Sequence, residues 1–213
     1  LVGLISISGS VLLGGVLIST ISNIIERRVG VVYTGRMTYR NIKNHYVLIG
    51  FNELSINMIR ELYDECPSAR ILLMSGIEAA TVRHRIQSAL PIEIERQVLV
   101  YFGNIESIEE LQRLNIESAI EVYVLGDEER YGRDAKNIAI VHLVSALRGK
   151  CSDGKMMPVY VQFDSIPSYS NIQKMNLPPE VFCIEGKPNI FFRPFNLHEN
   201  LARQLCFSIP SSV

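Results

Sequence analysis

The order of apolar and polar positions divides the chain into two parts that follow different rules. Leu1 to Ile25 contain no charged residue. At ~1.5 Å rise per residue, such a helix spans roughly 37 Å, more than the ~30 Å hydrocarbon core of a bilayer. From His45 onward, short apolar runs alternate with amphipathic stretches. Strands are predicted at Tyr46–Ile49, Ile71–Met74, Val98–Phe102, Val122–Leu125 and Val159–Phe163. Leu54, Met58, Ile59, Leu62 and Tyr63 fall on one face of a first helix. Further helices are predicted over Glu78–Leu90, Ser107–Leu114 and Asp134–Arg148. Ser107-Ile108-Glu109-Glu110 reads as a capping box. This alternation predicts a doubly wound parallel sheet, a Rossmann-like α/β fold. The strands are continuous Val/Ile/Leu runs, as strands covered on both faces require.

The predicted boundaries are a membrane helix over 1–28, a linker over 29–44 and the α/β domain over 45–187. A last segment covers 188–213. Pro178, Pro179, Pro188 and Pro194 interrupt regular structure there, and Asn196–Phe207 is predicted to be an amphipathic helix. The chain starts at Leu1 rather than Met, so a longer parent protein is expected.

Charge orients the first helix. It ends in Glu26-Arg27-Arg28, and Arg36, Arg40 and Lys43 follow with no acid before Glu53. An excess of Lys and Arg beside a span marks the cytoplasmic side, so the residues after about 28 are expected in the cytoplasm. A signal peptide would have its basic cluster at the other end. Gly3, Ser6, Ser10, Gly14 and Ser22 are small residues that allow close helix packing or face water.

The 213 residues carry a net charge of -1, and 47% are hydrophobic. No nucleic-acid signal is present. Cys66, Cys151, Cys183 and Cys206 are scattered without a C-x-x-C pair, which fits a reducing compartment. His45, His84, His142 and His198 are isolated, and no hydrolase or zinc-protease motif occurs. Catalysis is not expected.

The first strand runs into Val47-Leu48-Ile49-Gly50-Phe51-Asn52-Glu53-Leu54-Ser55. A dinucleotide loop needs three small residues here: one for the turn, one for the phosphate approach and one for helix packing. The three positions hold Gly50, Asn52 and Ser55. Gly50 and Ser55 suit the turn and the packing. Asn52 is expected to place a side chain where phosphate should meet backbone, and Glu53 adds negative charge. The second strand ends Met74-Ser75-Gly76, without the acid that holds a ribose hydroxyl. NAD(H) binding is therefore disfavoured, and the cofactor stays unknown.

Three stretches, "HYVLIGFNELS", "VLVYFGNIESIEELQRLNIESAIEVYVLGDEE" and "DAKNIAIVHLVSAL", resemble the RCK or TrkA-N domain, which regulates potassium transport. The motif G-N-x-x-x-x-x-x-L-x-x-x-x-I-E-S-A, from Gly103 to Ala119, is very similar to the first RCK domain of large-conductance calcium-activated channels. "VLISTISNIIERRVG" followed by "NIKNHYVLIGFNE" is similar to Castor/Pollux-type ion channels. The resemblance implies an inner pore helix at Leu1–Arg28 and the start of a crossover helix at Asn196–Phe207. It also implies a homotetrameric gating ring that couples a small ligand or ion to a cation pore, with potassium as the expected ion. The alternative is a TrkA-like nucleotide-binding subunit of a potassium uptake system. Calcium-binding relatives point to Asp127, Asp134 and Asp164 as candidate ligands, with Gln162 standing where a relative has an acid.

Overall fold

The computed structural model describes residues 16–26, 30, 35–39, 41–128, 132–148, 156–174, 183–184, 187–188 and 190–196. Its centre is a six-stranded parallel sheet. The strands are β1 (His45–Ile49), β2 (Ile71–Ser75), β3 (Val98–Phe102), β4 (Ala119–Val124), β5 (Met157–Gln162) and β8 (Ile190–Phe195). Their order is β3-β2-β1-β4-β5-β8. Cys183–Ile184 and Lys187–Pro188 form a separate antiparallel pair, β6 and β7. The helices are α1 (Ser55–Glu65), α2 (Ala79–Ala89), α3 (Ile92–Glu95), α4 (Ile108–Gln112), α5 (Arg133–Arg148) and α6 (Ile166–Lys174).

Period-two alternation divides the strands between two cores. Val47, Ile49, Leu72, Met74, Val122 and Val124 pack with Leu111 of α4, with Ile140, Val141 and Val144 of α5, and with Tyr169 of α6. Tyr46, Leu48, Ile71, Leu73, Tyr123 and Leu125 face the other way. They pack with Ile59 and Leu62 of α1, with Val82 and Ile86 of α2, and with Ile94 of α3. Each helix buries one stripe: Ser55, Ile59 and Leu62 on α1, and Ala79, Val82 and Ile86 on α2. All five predicted strands and four predicted helices are present, shifted by a few residues at their ends.

Five elements escaped the hydrophobic pattern: the short α3, α6, β8 and the small β6–β7 pair. The sheet runs on to Phe195, beyond the boundary expected at 187. Pro194 sits inside β8, opposite Val161. An edge strand has one unpaired side, where a missing N–H is tolerated. The capping box is half formed. Ser107 Oγ accepts the Glu110 N–H at 3.4 Å, but the Glu110 carboxylate accepts the Tyr101 hydroxyl instead of reaching back.

The described residues of the stretch expected to link helix and domain are tied to the end of β3 and to the segment before β4. Phe102 N–H donates to Gly35 O at 2.8 Å, Tyr39 N–H to Arg113 O at 2.9 Å and Asn44 N–H to Ser118 O at 3.0 Å. Gly35 has φ +69°, and a Cβ there would lie 2.6 Å from Ala79 Cβ. The Arg36 guanidinium stacks 5.7 Å from the Phe102 ring centroid.

Most of the predicted membrane helix lies outside the described residues. Residues 16–26 are helical, and Val16, Leu17, Ile18, Ile21, Ile24 and Ile25 are all more than half exposed. Among the described residues, no helix is long and apolar enough to cross a membrane. The predicted helix at Asn196–Phe207 also lies outside them, apart from Asn196.

Candidate functional site

The strand order reverses at β1. Successive strands step one way through β2 to β3 and the other way from β4 to β8, which opens a crevice beyond the carboxyl ends of β1 and β4. Two glycines close its floor. Gly50, φ +97°, lies so near Gly126 that a Cβ on it would meet backbone at 2.2 to 2.4 Å. Leu125 and Gly126 N–H both donate to Ile49 O, at 2.8 and 3.1 Å.

Asn52 differs from its sequence-based expectation. Its side chain does not stand in the phosphate approach. It turns inward, 3% exposed, and ties three strand ends together. Nδ2 donates to Leu125 O at 3.0 Å, to Gly126 O at 3.3 Å and to Gln162 Oε1 at 2.9 Å. Oδ1 accepts the Leu54 N–H at 2.9 Å. Ser55 is fully buried, and its Oγ accepts the Asn52 N–H at 2.9 Å. The small residue therefore allows helix packing and also holds the turn.

The groups that a phosphate would seek are already engaged. Asp127 Oδ1 accepts the Phe51 N–H at 3.0 Å and the Ser75 hydroxyl at 2.6 Å, and Oδ2 accepts the Gly76 N–H at 2.9 Å. A carboxylate of the chain itself sits where the loop offers backbone donors to an anion. Ser75 Oγ also accepts the Ile77 N–H at 2.9 Å. Above this, Arg85 of α2 pairs with Glu128, and its guanidinium lies 5.8 Å from the Phe51 ring centroid.

Asp134 and Asp164 meet at the other side of the crevice. Asp134 accepts the N–H groups of Asp164 at 2.8 Å and Ser165 at 3.2 Å, just ahead of α6. Asp164 accepts Arg133 Nη1 at 2.8 Å and Gln162 Nε2 at 2.9 Å. Among the described residues, no group of three or more His, Cys, Asp or Glu is arranged to hold a metal ion. Asp127 is occupied with β1 and β2 as above, and a guanidinium already neutralises Asp164.

Arg133 and Asn137 were not singled out in the sequence. Both are buried, on the stripe of α5 that continues through Ile140, Val141 and Val144. The available signal was a polar residue at an inward helical position, where burial demands a partner. Together with Gly76, Asn104 to Glu106, Gly126, Asp127 and Lys136, they line a cavity of about 160 Å³.

No protein-family model matches the chain, and no curated protein does. Solved structures do. The GsuK channel bound to NAD matches over 91% of this chain and 28% of its own, with TM-score 0.57 and 14% identity. GsuK bound to ADP matches over 90% and 41%, with TM-score 0.55 and 14% identity. The GsuK RCK domain matches over 86% and 32%, with TM-score 0.54 and 14% identity. The fold is that of an RCK domain. The chain spans 28% to 41% of the length of these three structures.

Proposed function

We propose that this chain is the cytoplasmic regulatory module of a cation channel, with potassium as its ion, and that it couples ligand occupancy to a pore. The observation that carries this reading is the docking of the linker. Gly35 and Arg36 are held on the last residue of β3, directly before Gly103 and the cavity-lining Asn104. Movement of the loops after β2 and β3 therefore pulls on the strand end that anchors the linker. The RCK fold and the exposed apolar face of residues 16–26 support the same reading. That face needs a bilayer or a partner to cover it. A homotetrameric ring, an inner pore helix before the linker and the absence of catalysis are parts of this proposal.

Potassium flux into liposomes carrying the natural protein that contains this chain tests it. Gly35→Val removes the positive-φ turn and clashes with Ala79. It is expected to change the flux at least about fivefold, a usual size for coupling between sites. The domain is expected to melt cooperatively but at a lower temperature, because the turn is strained and the new side chain meets Ala79 and Phe102, so flux is compared well below that transition. Flux that is absent from the natural protein, or indifferent to Gly35→Val, would defeat the reading.

A second reading is a nucleotide-binding regulatory subunit attached to a separate transporter. It is favoured by the GsuK structures solved with NAD and with ADP. In this chain, a nucleotide phosphate would have to displace the Asp127 carboxylate from Phe51 and Gly76. Calorimetric titration with NAD and ADP separates the two readings.

A further inference from the structure

Two buried polar atoms, Arg133 Nε and Asn137 Oδ1, have no hydrogen-bond partner. Arg133 is 2% exposed and Asn137 0%. Buried polar groups are nearly always satisfied, so each such orphan requires an explanation. Both line the same cavity of about 160 Å³. They are one helical turn apart on α5, and so are neighbours on its surface. Gly126 lies between them and the crevice floor. A Cβ there would come within 2.8 Å of Arg133 Cγ and 2.8 Å of Asn137 Oδ1. Its absence leaves room for both side chains.

We infer that this cavity binds a small zwitterion of the α-amino acid class through the donor of Arg133 and the acceptor of Asn137. The orphans form an adjacent donor and acceptor, which match a carboxylate beside an ammonium. The rim repeats that pairing, with Lys136 Nζ 4.0 Å from Glu106 Oε1. Asp127 adds a second carboxylate to the lining. Arg133 is paired with Asp164, and Lys136 stands beside Glu106, so charges of both signs adjoin the cavity, and a ligand with one charge of each sign would exchange with these pairs. A phosphate would face two carboxylates, and a metal ion would face the Arg133 guanidinium. An engineered cavity of ~150 Å³ holds benzene, which sets the size at roughly six to nine heavy atoms. One bridging water would satisfy both orphans, and several more would fit in the remaining volume at ~30 Å³ each, so solvent is the alternative occupant that the test addresses. The inference goes beyond the pore reading, and its test involves no pore.

Calorimetric titration of the 213-residue chain in detergent with glycine, L-alanine and L-serine tests it. Propionate, ethylamine and inorganic phosphate are the comparison ligands. At least one amino acid is expected to bind saturably. Propionate and ethylamine should bind at least about tenfold more weakly, because each lacks one charge-assisted hydrogen bond. Lys136→Ala and Glu106→Gln lie on the exposed rim and leave the core intact. Each is expected to weaken amino-acid binding severalfold, with cooperative melting retained. Three results would overturn the inference: no amino acid binding to a chain that melts cooperatively, equal binding of propionate or phosphate, or binding unchanged in both rim variants. The first would leave a bridging water as the occupant.

Discussion

The backbone N–H of Phe51 donates to Asp127 Oδ1 at 3.0 Å, across the crevice between β1 and β4. The carboxylate that makes this bond also accepts from Ser75 and Gly76. One acid therefore fastens the ends of three strands and uses the donors that an exogenous anion would need.

Asp127→Ala should release those donors. Binding of ADP, measured by calorimetry, is expected to strengthen at least about tenfold, since a dianion then meets bare N–H groups. Chemical denaturation should show a loss of about 2 kcal/mol, because the bonds to this half-buried charge are lost. Unchanged ADP affinity in a folded variant would show that Asp127 does not guard the site.

Asn52→Gly restores the sequence expected of a dinucleotide loop, yet it should weaken the protein rather than create a cofactor site. It removes bonds to Leu125, Gly126, Gln162 and Leu54 and leaves buried groups unpaired. A cost of about 3 kcal/mol is expected, read from the urea midpoint. NAD binding by calorimetry should not improve while Asp127 is present.

Gly50→Ala puts a methyl group into the backbone of Gly126 and forces a side chain into φ +97°. Either fault alone is costly, and nothing at the end of a flexible side chain can move away. The expected loss is about 3 kcal/mol or more, and expression without cooperative melting would be consistent with it. A melting temperature equal to that of the parent would contradict the contact.

His45 is fully buried at the start of β1, with Nε2 3.0 Å from Leu114 O and Nδ1 unpartnered. Burial lowers its pKa from 6.5, against a smaller upward pull from the Leu114 carbonyl. The unfolded chain therefore takes up a proton before the folded one does. Stability should fall as pH drops through about 6.5 toward the lower folded pKa, and stay flat in this respect above it. Urea midpoints compared between pH 8 and pH 5.5 should show this slope, and His45→Gln should reduce it.

Much of the frame was legible because burial enforces periodicity. The Val47 and Ile49 alternation with Tyr46 and Leu48 marks β1 as covered on both faces. The stripe Ser55, Ile59, Leu62 likewise marks α1. Strand β8 was hidden because Pro188 and Pro194 read as breakers, and only pairing with β5 makes Pro194 an edge position. The site was half legible. Gly50, Asn52, Ser55, Asp127, Asp134 and Asp164 all lie around one crevice, but most of their roles depend on contacts across 30 to 110 positions. Asn52 reaches Gln162 over 110 positions and Phe51 reaches Asp127 over 76. No local pattern encodes such partners. Arg133 and Asn137 looked like ordinary helix polarity until burial showed their unpaired atoms.

The contact between Gly50 and Gly126 limits how this crevice can diverge. Each wall of the contact is main chain, so no compensating replacement at one glycine makes room for a side chain at the other. Amino-acid drift is closed off at the junction of β1 and β4. Variation in what the crevice holds must come from the residues that surround the junction, Asp127, Arg133, Lys136 and Asn137 among them. A family built on this sheet would therefore change its ligand by exchanging side chains around a fixed main-chain seam.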